Sequence, residues 1–370
     1  MGIAAAASLL VAAMAFPLAA PENLNPLLEP LLKKYDLPAL AGSIVTSNGL
    51  VAAGAVGVRK YGTDTPVTLN DEFHLGSDTK AMTATLLAML VEEGKLSWDT
   101  TLEQVFPELA PTMNPAYRKV TIEQMLAHRA GFTEDSWPKG MTFAEVHTIP
   151  GTPREQRAAY VAMVLREVPA YTPGSQFLYS NRSYAVGGVI AEKIANDSWE
   201  NLMQKRIFDP LGMRTCGFGA MGTAGKIDQP WQHKLLLTFH RPIEPGPRAD
   251  NPPAIGPAGT VHCSIVDWGK FVTAHLRGEK GEPGILKPET FKRLHTAPYG
   301  DYGFGWVPAD RPWAGGRALN HNGSNTQNYA IVWMAPFKDF AVLVATNQGD
   351  TFDACDATAW ALIQHFTQSK

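Results

Sequence analysis

Alternating and helical patterns of apolar residues place strands near the two ends of the chain and helices between them. Ala41–Thr46 and Leu50–Arg59 predict a β-hairpin, because the intervening Asn48-Gly49 is a preferred hairpin turn. Gln327–Met334 and Phe340–Thr346 alternate in the same way and predict a second hairpin near the carboxyl end. We therefore expect one antiparallel sheet built from both termini.

The predicted helices lie mainly between these hairpins. Residues 77–93 predict a buried helix, because they are apolar nearly all round until Glu92 and contain no proline. The other predicted helices are Asn23–Lys34, Thr121–His128, Arg154–Glu167, Ser183–Asn196, Asp267–Leu276 and Asp353–Thr367. Residues 241–259 hold six prolines and predict a long ordered loop or flap.

Together these elements predict an α/β fold of the α+β type, in which helices flank a central antiparallel sheet and a mainly helical domain is inserted. We place the sheet domain at 21–80 and 255–370, and the helical domain at 81–254. The chain has 370 residues, of which 45% are hydrophobic, and this is ample for a large core. Its net charge of −3 and its lack of a basic run argue against nucleic-acid binding and polybasic membrane attachment.

The first 20 residues predict export. They carry no charged side chain, and an apolar block followed by small residues resembles the core and cleavage region of a secretory signal. One element of that pattern is missing, because no Lys or Arg precedes the block. We expect a signal peptide at 1–20 and a periplasmic or secreted protein, with membrane attachment only if this segment is not cleaved.

Cysteine and histidine residues show no metal-ligand spacing. We therefore predict no metal site and no cofactor. The three cysteines, Cys216, Cys263 and Cys355, allow at most one disulfide within the chain, or three buried thiols, and their spacing does not decide between these.

Ser77 and Lys80 form the first candidate for chemistry. On a helix, residues three apart share a face, so the Lys80 amine is expected above the Ser77 hydroxyl. A serine hydroxyl becomes nucleophilic when a neighbouring group accepts its proton, and a buried lysine with a lowered pKa can do so. The pair alone is a weak signal, because a helix cap followed by a solvated lysine gives the same spacing.

Two later segments strengthen this signal. Tyr179 and Asn181 follow a Pro-Gly turn and point the same way if the segment is extended, so a tyrosine acid or base and an amide would lie side by side. His321 and Gly323 lie immediately before a predicted strand, where the glycine permits close approach of a ligand to the backbone. The backbone N–H after that glycine could contribute to an oxyanion hole.

In this order and spacing, Ser77-x-x-Lys80, Tyr179-x-Asn181 and His321-x-Gly323 resemble the serine β-lactamase and penicillin-binding-protein superfamily. The resemblance is to the class C-like branch, which includes family-VIII-type carboxylesterases and D-amino-acid peptidases, and it covers about residues 25–368. Four further segments share it, and they are Met125–Gly131, Pro210–Met213, Pro257–Gly259 and Tyr302–Trp306.

The resemblance implies roles for three catalytic residues. Ser77 is the acylated nucleophile. Lys80 takes or relays its proton. Tyr179 is the base or acid that is shared with Lys80, and it protonates the leaving group.

The resemblance also implies substrate-binding roles. Asn181 orients the acyl side of the substrate, and His321 stands where penicillin-recognising members carry lysine. The N–H groups of Ser77 and Ser324 form the oxyanion hole. Trp306 is a candidate wall of the acyl pocket.

Histidine in the third motif favours esters over lactams, because a neutral imidazole holds a substrate carboxylate more weakly than a lysine does. We therefore predict a serine hydrolase that forms an acyl-enzyme on Ser77, a carboxylesterase for small or medium acyl esters. The alternatives are a β-lactamase, a D,D-peptidase or a D-amino-acid amidase, and a non-catalytic binding protein on the same fold. In each case the partner is a small ester, lactam or peptide-like molecule.

Overall fold

A computed structural model describes residues 20–368. The strands are β1 (Glu22–Asn23), β2 (Ala39–Thr46), β3 (Gly49–Gly57), β4 (Glu72–His74), β5 (Gly217–Phe218), β6 (Gln232–Leu236), β7 (Phe239–Ile243), β8 (Val261–Ser264), β9 (Val307–Arg311), β10 (Gly316–Ser324), β11 (Tyr329–Ala335) and β12 (Phe340–Thr346). Seven of them form one sheet in the order β1-β3-β2-β12-β11-β10-β9. Its neighbours pair antiparallel, except that β1 and β3 pair parallel.

Helices pack on both faces of this sheet, and along the chain most of them lie between β3 and β9. They are α1 (Asn25–Lys34), α2 (Thr79–Glu92), α3 (Leu102–Val105), α4 (Ile122–Leu126), α5 (Phe143–Val146), α6 (Pro153–Val164), α7 (Asn181–Ala195), α8 (Trp199–Met203), α9 (Asp209–Leu211), α10 (Gly256–Gly259), α11 (Ile265–Glu279), α12 (Pro288–His295) and α13 (Phe352–Gln368). The fold class predicted from the sequence is confirmed.

Alternation along the strands separates two cores. Neighbouring side chains on a strand point to opposite faces. On β2, Ile44 therefore belongs to the core that includes Leu362 of α13, while Val45 belongs to the core that includes Phe271 of α11. The sheet is buried on both faces, with α1 and α13 on one side and α11 with the helical region on the other.

The buried helix α2 lies at the centre of the second core. Every residue from Thr79 to Leu90 is buried. The backbone of helix α7 at Gly188 packs directly against the Pro257 ring of α10, since a Cβ atom on Gly188 would lie 2.2 Å from Pro257 Cγ. This close packing brings the chain around Pro257 beside the start of α2, where the candidate nucleophile lies.

Three features depart from the sequence predictions or settle what they left open. Strands β6 and β7 form a hairpin that was not predicted, and the proline-rich segment begins inside β7 and ends in α10. Cys216 and Cys263 form a disulfide, with an S–S distance of 2.03 Å, and Cys355 is a buried free thiol. The predicted domain boundaries stay a prediction.

The predicted signal peptide lies outside the described residues, apart from Ala20. Within residues 20–368, no helix combines the length and apolar character that crossing a bilayer requires.

Candidate active site

Ser77 lies on a tight turn that directly precedes α2. The turn Gly76–Asp78 is 3₁₀-helical, and α2 begins at Thr79, two residues later than predicted. Gly76 has φ of +50°, a left-handed conformation that glycine adopts without a steric penalty. Ser77 remains partly exposed while Lys80 is fully buried, so a substrate can reach the hydroxyl but not the amine.

The Lys80 amine contacts three oxygens. Its Nζ lies 2.9 Å from Ser77 Oγ, 2.7 Å from Asn181 Oδ1 and 2.7 Å from the Ala258 carbonyl oxygen. The amide Oδ1 and the carbonyl can only accept hydrogen bonds. The serine hydroxyl can donate or accept, so its role depends on the charge of Lys80.

Burial lowers the pKa of Lys80 well below its ordinary value, against the weaker opposing effect of the Asp78 carboxylate. A neutral amine has two N–H groups and one lone pair. In that form the N–H groups bond to Asn181 and Ala258, and the lone pair faces Ser77 Oγ. The lowered pKa and the 2.9 Å contact together suit Lys80 to accept the Ser77 proton.

Tyr179 lies beside both Ser77 and Lys80. Burial raises the pKa of Tyr179 above its ordinary value, and a hydrogen bond with Ser77 lowers it less strongly. Lys80 Nζ lies 4.8 Å from the centre of the Tyr179 ring, over its face. Because burial also lowers the pKa of Lys80, a positive charge beside the phenol is disfavoured. Of the two roles expected for Tyr179, base or acid, these shifts favour the acid.

Asn181 connects Lys80 to a residue that the sequence analysis missed. It is the first residue of α7, whose N-cap is Ser180. Its Oδ1 accepts from Lys80, and its Nδ2 donates to Ser136 Oγ at 2.9 Å. Both ends of the amide are thus occupied by protein, so Asn181 fixes the Lys80 amine as well as facing the site.

The third motif contacts the nucleophile turn through two glycines. A Cβ atom on Gly76 would lie 2.2 Å from the Ser324 backbone nitrogen, and one on Gly323 would lie 1.7 Å from the Leu75 carbonyl oxygen. Any side chain at either position would push the two segments apart. The glycines therefore let the backbone of Ser324 lie beside that of Ser77, as two oxyanion-hole donors require.

His321 is a buried, neutral residue. Burial, and less strongly Lys80, lower the pKa of His321 to about 3. Its Nδ1 lies 2.8 Å from the Asn322 carbonyl oxygen, which only accepts, so Nδ1 carries the proton. Its Nε2 then accepts from the Tyr302 hydroxyl at 2.8 Å. At neutral pH this position holds no positive charge, consistent with the reasoning from sequence.

Comparison with known proteins agrees with this geometry. The sequence model of the Beta-lactamase family matches residues 24–365. The chain belongs to the beta-lactamase family. It is 27% identical over 339 residues to Penicillin-binding protein 4 of Amycolatopsis lactamdurans, an alignment that covers 86% of this chain and 83% of the relative.

One further relative and one solved structure that resembles this beta-lactamase family chain are named for different activities. Lovastatin esterase of Penicillium rubens is 28% identical over 166 residues, or 41% of each chain. The structure of a D-alanine carboxypeptidase AmpC from Burkholderia cenocepacia matches with a TM-score of 0.72 and 21% identity, covering 92% of this chain and 97% of that one. At this identity the structural match establishes the fold alone.

Trp306 does not contribute to the site of this family member. The side chain is only 1% exposed, and its ring packs against His275 and His295 at centroid distances of 5.2 and 5.5 Å. The prediction that Trp306 walls the acyl pocket is therefore wrong. Tyr302, from the same segment, contacts the site instead through its bond to His321.

A buried polar network supports the nucleophile turn from behind. His74 Nδ1 accepts the Gly76 N–H at 3.0 Å, so its Nε2 donates to Asp250 at 2.8 Å. The second Asp250 oxygen accepts from Asn325 at 2.8 Å. Asp250 thus ties the proline-rich segment to both the nucleophile turn and the end of β10. Sequence reasoning missed this pair, because nothing in the spacing of residues 74 and 250 indicates their contact.

Asp78 is an unusual neighbour of the nucleophile. Its carboxyl group is buried, and neither oxygen has a hydrogen-bond partner among residues 20–368. Burial raises the pKa of Asp78 well above its ordinary value, and Lys80 lowers it less strongly. Burial therefore favours the uncharged form of both Asp78 and Lys80.

Proposed function

We propose that this protein is a carboxylesterase that forms an acyl-enzyme on Ser77. The observation that carries the proposal is the buried Lys80 amine, whose Nζ lies 2.9 Å from Oγ of the partly exposed Ser77. A positioned base of this kind is what a serine nucleophile requires. Silent binding proteins have no need of a desolvated lysine, which costs folding free energy at neutral pH.

The proposed reaction has two steps. Ser77 Oγ attacks the ester carbonyl carbon while its proton passes to Lys80 Nζ, and the N–H groups of Ser77 and Ser324 bind the developing oxyanion. The carbon–oxygen bond to the alcohol then breaks, Tyr179 protonates the leaving oxygen, and Tyr179 regains a proton from Lys80. In the second step water attacks the acyl-enzyme, releases the acid and restores Ser77.

The uncharged His321 supports esters over carboxylate-bearing lactams. A substrate carboxylate beside this position would meet a neutral ring whose two nitrogens already bond to protein. The named activity of lovastatin esterase agrees with this preference. Penicillin-binding protein 4, which aligns over more of the chain, supports a β-lactamase or D,D-peptidase as the second candidate.

A substrate panel tests the proposal. Purified protein is expected to hydrolyse p-nitrophenyl acetate and butyrate with many turnovers, and mass spectrometry of quenched reactions should locate the acyl group on Ser77. Ser77→Ala is the matched control and should lack both signals. Turnover that is equal in the control would contradict the proposal. A stable penicillin adduct without ester turnover would favour a peptidase, and rapid hydrolysis of nitrocefin would favour a β-lactamase.

Replacing His321 with lysine is expected to increase the acylation rate with carboxylate-bearing β-lactams about tenfold, because a charged hydrogen bond to the carboxylate becomes available. Stopped-flow measurement of acylation by benzylpenicillin checks this. His321→Gln, which adds no charge, is the control and should give no increase. An unchanged rate for His321→Lys would show that position 321 does not determine lactam recognition.

We also propose that the protein is exported to the periplasm or secreted. The support is the disulfide between Cys216 and Cys263, since such bonds persist mainly in oxidising compartments. The signal-like pattern of residues 1–20 agrees with it.

A further inference from the structure

The β6–β7 hairpin ends in an exposed apolar tip. Leu237 is 98% exposed, Phe239 59%, Leu236 48% and Leu235 42%. Four of the large hydrophobic side chains that the structure exposes are thus concentrated within five consecutive residues. Exposed apolar clusters of this kind mark sites of interaction.

The turn of this hairpin is built at a conformational cost. Leu236 pairs with Phe239, so Leu237 and Thr238 form a two-residue turn. Leu237 has φ of +57°, a region in which hairpin turns ordinarily use glycine or asparagine. A leucine there is strained, and its side chain gains no burial within the protein to compensate. An apolar environment outside the protein would compensate for it.

The same face of the hairpin carries two cations behind the apolar residues. Lys234 pairs directly with Arg241, two positions from Leu236 and Phe239 respectively. Residues two apart on a strand share a face. Like charges directly opposite each other destabilise a hairpin unless an anion lies between them. Among residues 20–368, no carboxylate lies within ion-pair distance of either cation.

The nearest acidic group lies on the opposite face. His240 pairs with Leu235, and it binds the Asp36 carboxylate at 2.9 Å and the Gln348 side chain. That face is attached to the body of the protein, so Asp36 does not neutralise Lys234 and Arg241. The hairpin is therefore attached to the body along the face of His240, while Leu236, Leu237 and Phe239 stay exposed.

We propose that the tip of this hairpin inserts into the surface of an anionic phospholipid membrane. At about 3.4 Å per residue, the two cations lie about 7 Å behind the apolar pair. Amphipathic elements at a membrane interface bury their apolar side chains about 5–10 Å deep, which would place Lys234 and Arg241 among the lipid headgroups.

A lipid surface fits this tip better than a protein partner does. Leu235 and Leu236 are consecutive, so they point to opposite faces of the strand, and Leu237 projects from its end. A protein groove would cover one face of the hairpin. A fluid apolar medium can contact the exposed parts of all three side chains, and anionic headgroups supply the counter-charge that the Lys234–Arg241 pair lacks.

Site-specific fluorescence tests the insertion. Leu237→Cys can be labelled with the environment-sensitive dye NBD, because Cys216 and Cys263 are bonded and Cys355 is buried. We expect a severalfold rise and a blue shift of NBD emission when vesicles of phosphatidylethanolamine and phosphatidylglycerol are added. The matched control is Val168→Cys, an apolar residue that is 78% exposed elsewhere, and its emission should not change. This readout is local, so binding through another segment would not imitate it.

Vesicle sedimentation of full-length variants separates the apolar contribution to membrane binding from the electrostatic one. Leu236→Ser with Phe239→Ser should weaken binding about tenfold or more, because both apolar side chains leave the interface. Lys234→Gln with Arg241→Gln should remove the preference over phosphatidylcholine vesicles. Both variants should keep ester hydrolysis in solution, which controls for folding. Unchanged NBD emission at position 237, or a lipid-independent change accompanied by a dimer in analytical ultracentrifugation, would overturn the proposal.

Discussion

Replacing Lys80 with alanine is expected to lower kcat/KM for ester hydrolysis by about a hundredfold to ten-thousandfold, the usual contribution of a positioned general base. The structure gives the reason. Lys80 Nζ lies 2.9 Å from Ser77 Oγ, and in its neutral form its lone pair faces that oxygen while its N–H groups bond to Asn181 and Ala258. Steady-state kinetics with p-nitrophenyl butyrate measure the loss, and circular dichroism checks the fold.

Lys80→Arg distinguishes a role of Lys80 as a proton acceptor from a role of its positive charge. Arginine fills a similar volume but stays protonated, so it cannot accept the Ser77 proton. We expect it to be as inactive as the alanine variant. Substantial activity in Lys80→Arg would show that position 80 acts through positive charge and would contradict the assignment.

The pH dependence of the wild type checks the same assignment. Activity requires neutral Lys80, whose pKa burial lowers, so kcat/KM should rise with pH through a value well below that of an ordinary lysine. Because burial raises the pKa of Tyr179, its proton is retained at alkaline pH and no early fall is expected there. His321, with a pKa of about 3, should add no inflection near neutrality.

Local patterns predicted most of the fold. The Asn48-Gly49 sequence and the alternation of Phe340–Thr346 predict hairpins from contacts between near neighbours, and both hairpins are present, the first with its turn at Ser47-Asn48 and Gly49 opening β3. The β6–β7 hairpin escaped prediction because its turn contains Leu237 and Thr238 in place of the usual glycine or asparagine. Its strands also expose their apolar residues, so no alternation marks them.

The sequence could predict only those candidate-site residues that belong to its three motifs. Ser77, Lys80 and Tyr179 meet because each lies at the start of α2 or α7, where the motif spacing already placed them. Ionisation states depend on burial, which no spacing reveals, so the sequence left open whether Tyr179 is the base or the acid. Trp306 was misplaced for a similar reason, since an aromatic residue beside a motif packs equally well into the core or a pocket.

Replacing Tyr179 with phenylalanine is expected to slow hydrolysis of ethyl esters by about a hundredfold to ten-thousandfold, because the leaving alkoxide loses its proton donor. The same change should affect p-nitrophenyl esters much less in the acylation step, since p-nitrophenolate leaves without a proton. Lys80 then holds the proton that it took from Ser77, but two of its N–H groups are held by Asn181 and Ala258, and the third faces the Ser77 oxygen. Parallel kinetics with ethyl and p-nitrophenyl butyrate measure the difference.

The dependence on the leaving group distinguishes proton donation from packing. Tyr184, a buried tyrosine that donates to the Leu126 carbonyl, supplies a control, and Tyr184→Phe should affect both esters alike. If Tyr179→Phe slowed both esters equally, the hydroxyl would serve only to position Ser77. If only hydrolysis of the ethyl ester were slowed, the proton that Ser77 gives to Lys80 would have to reach the leaving group through Tyr179. The two side chains would then form one relay, with Lys80 as acceptor and Tyr179 as donor.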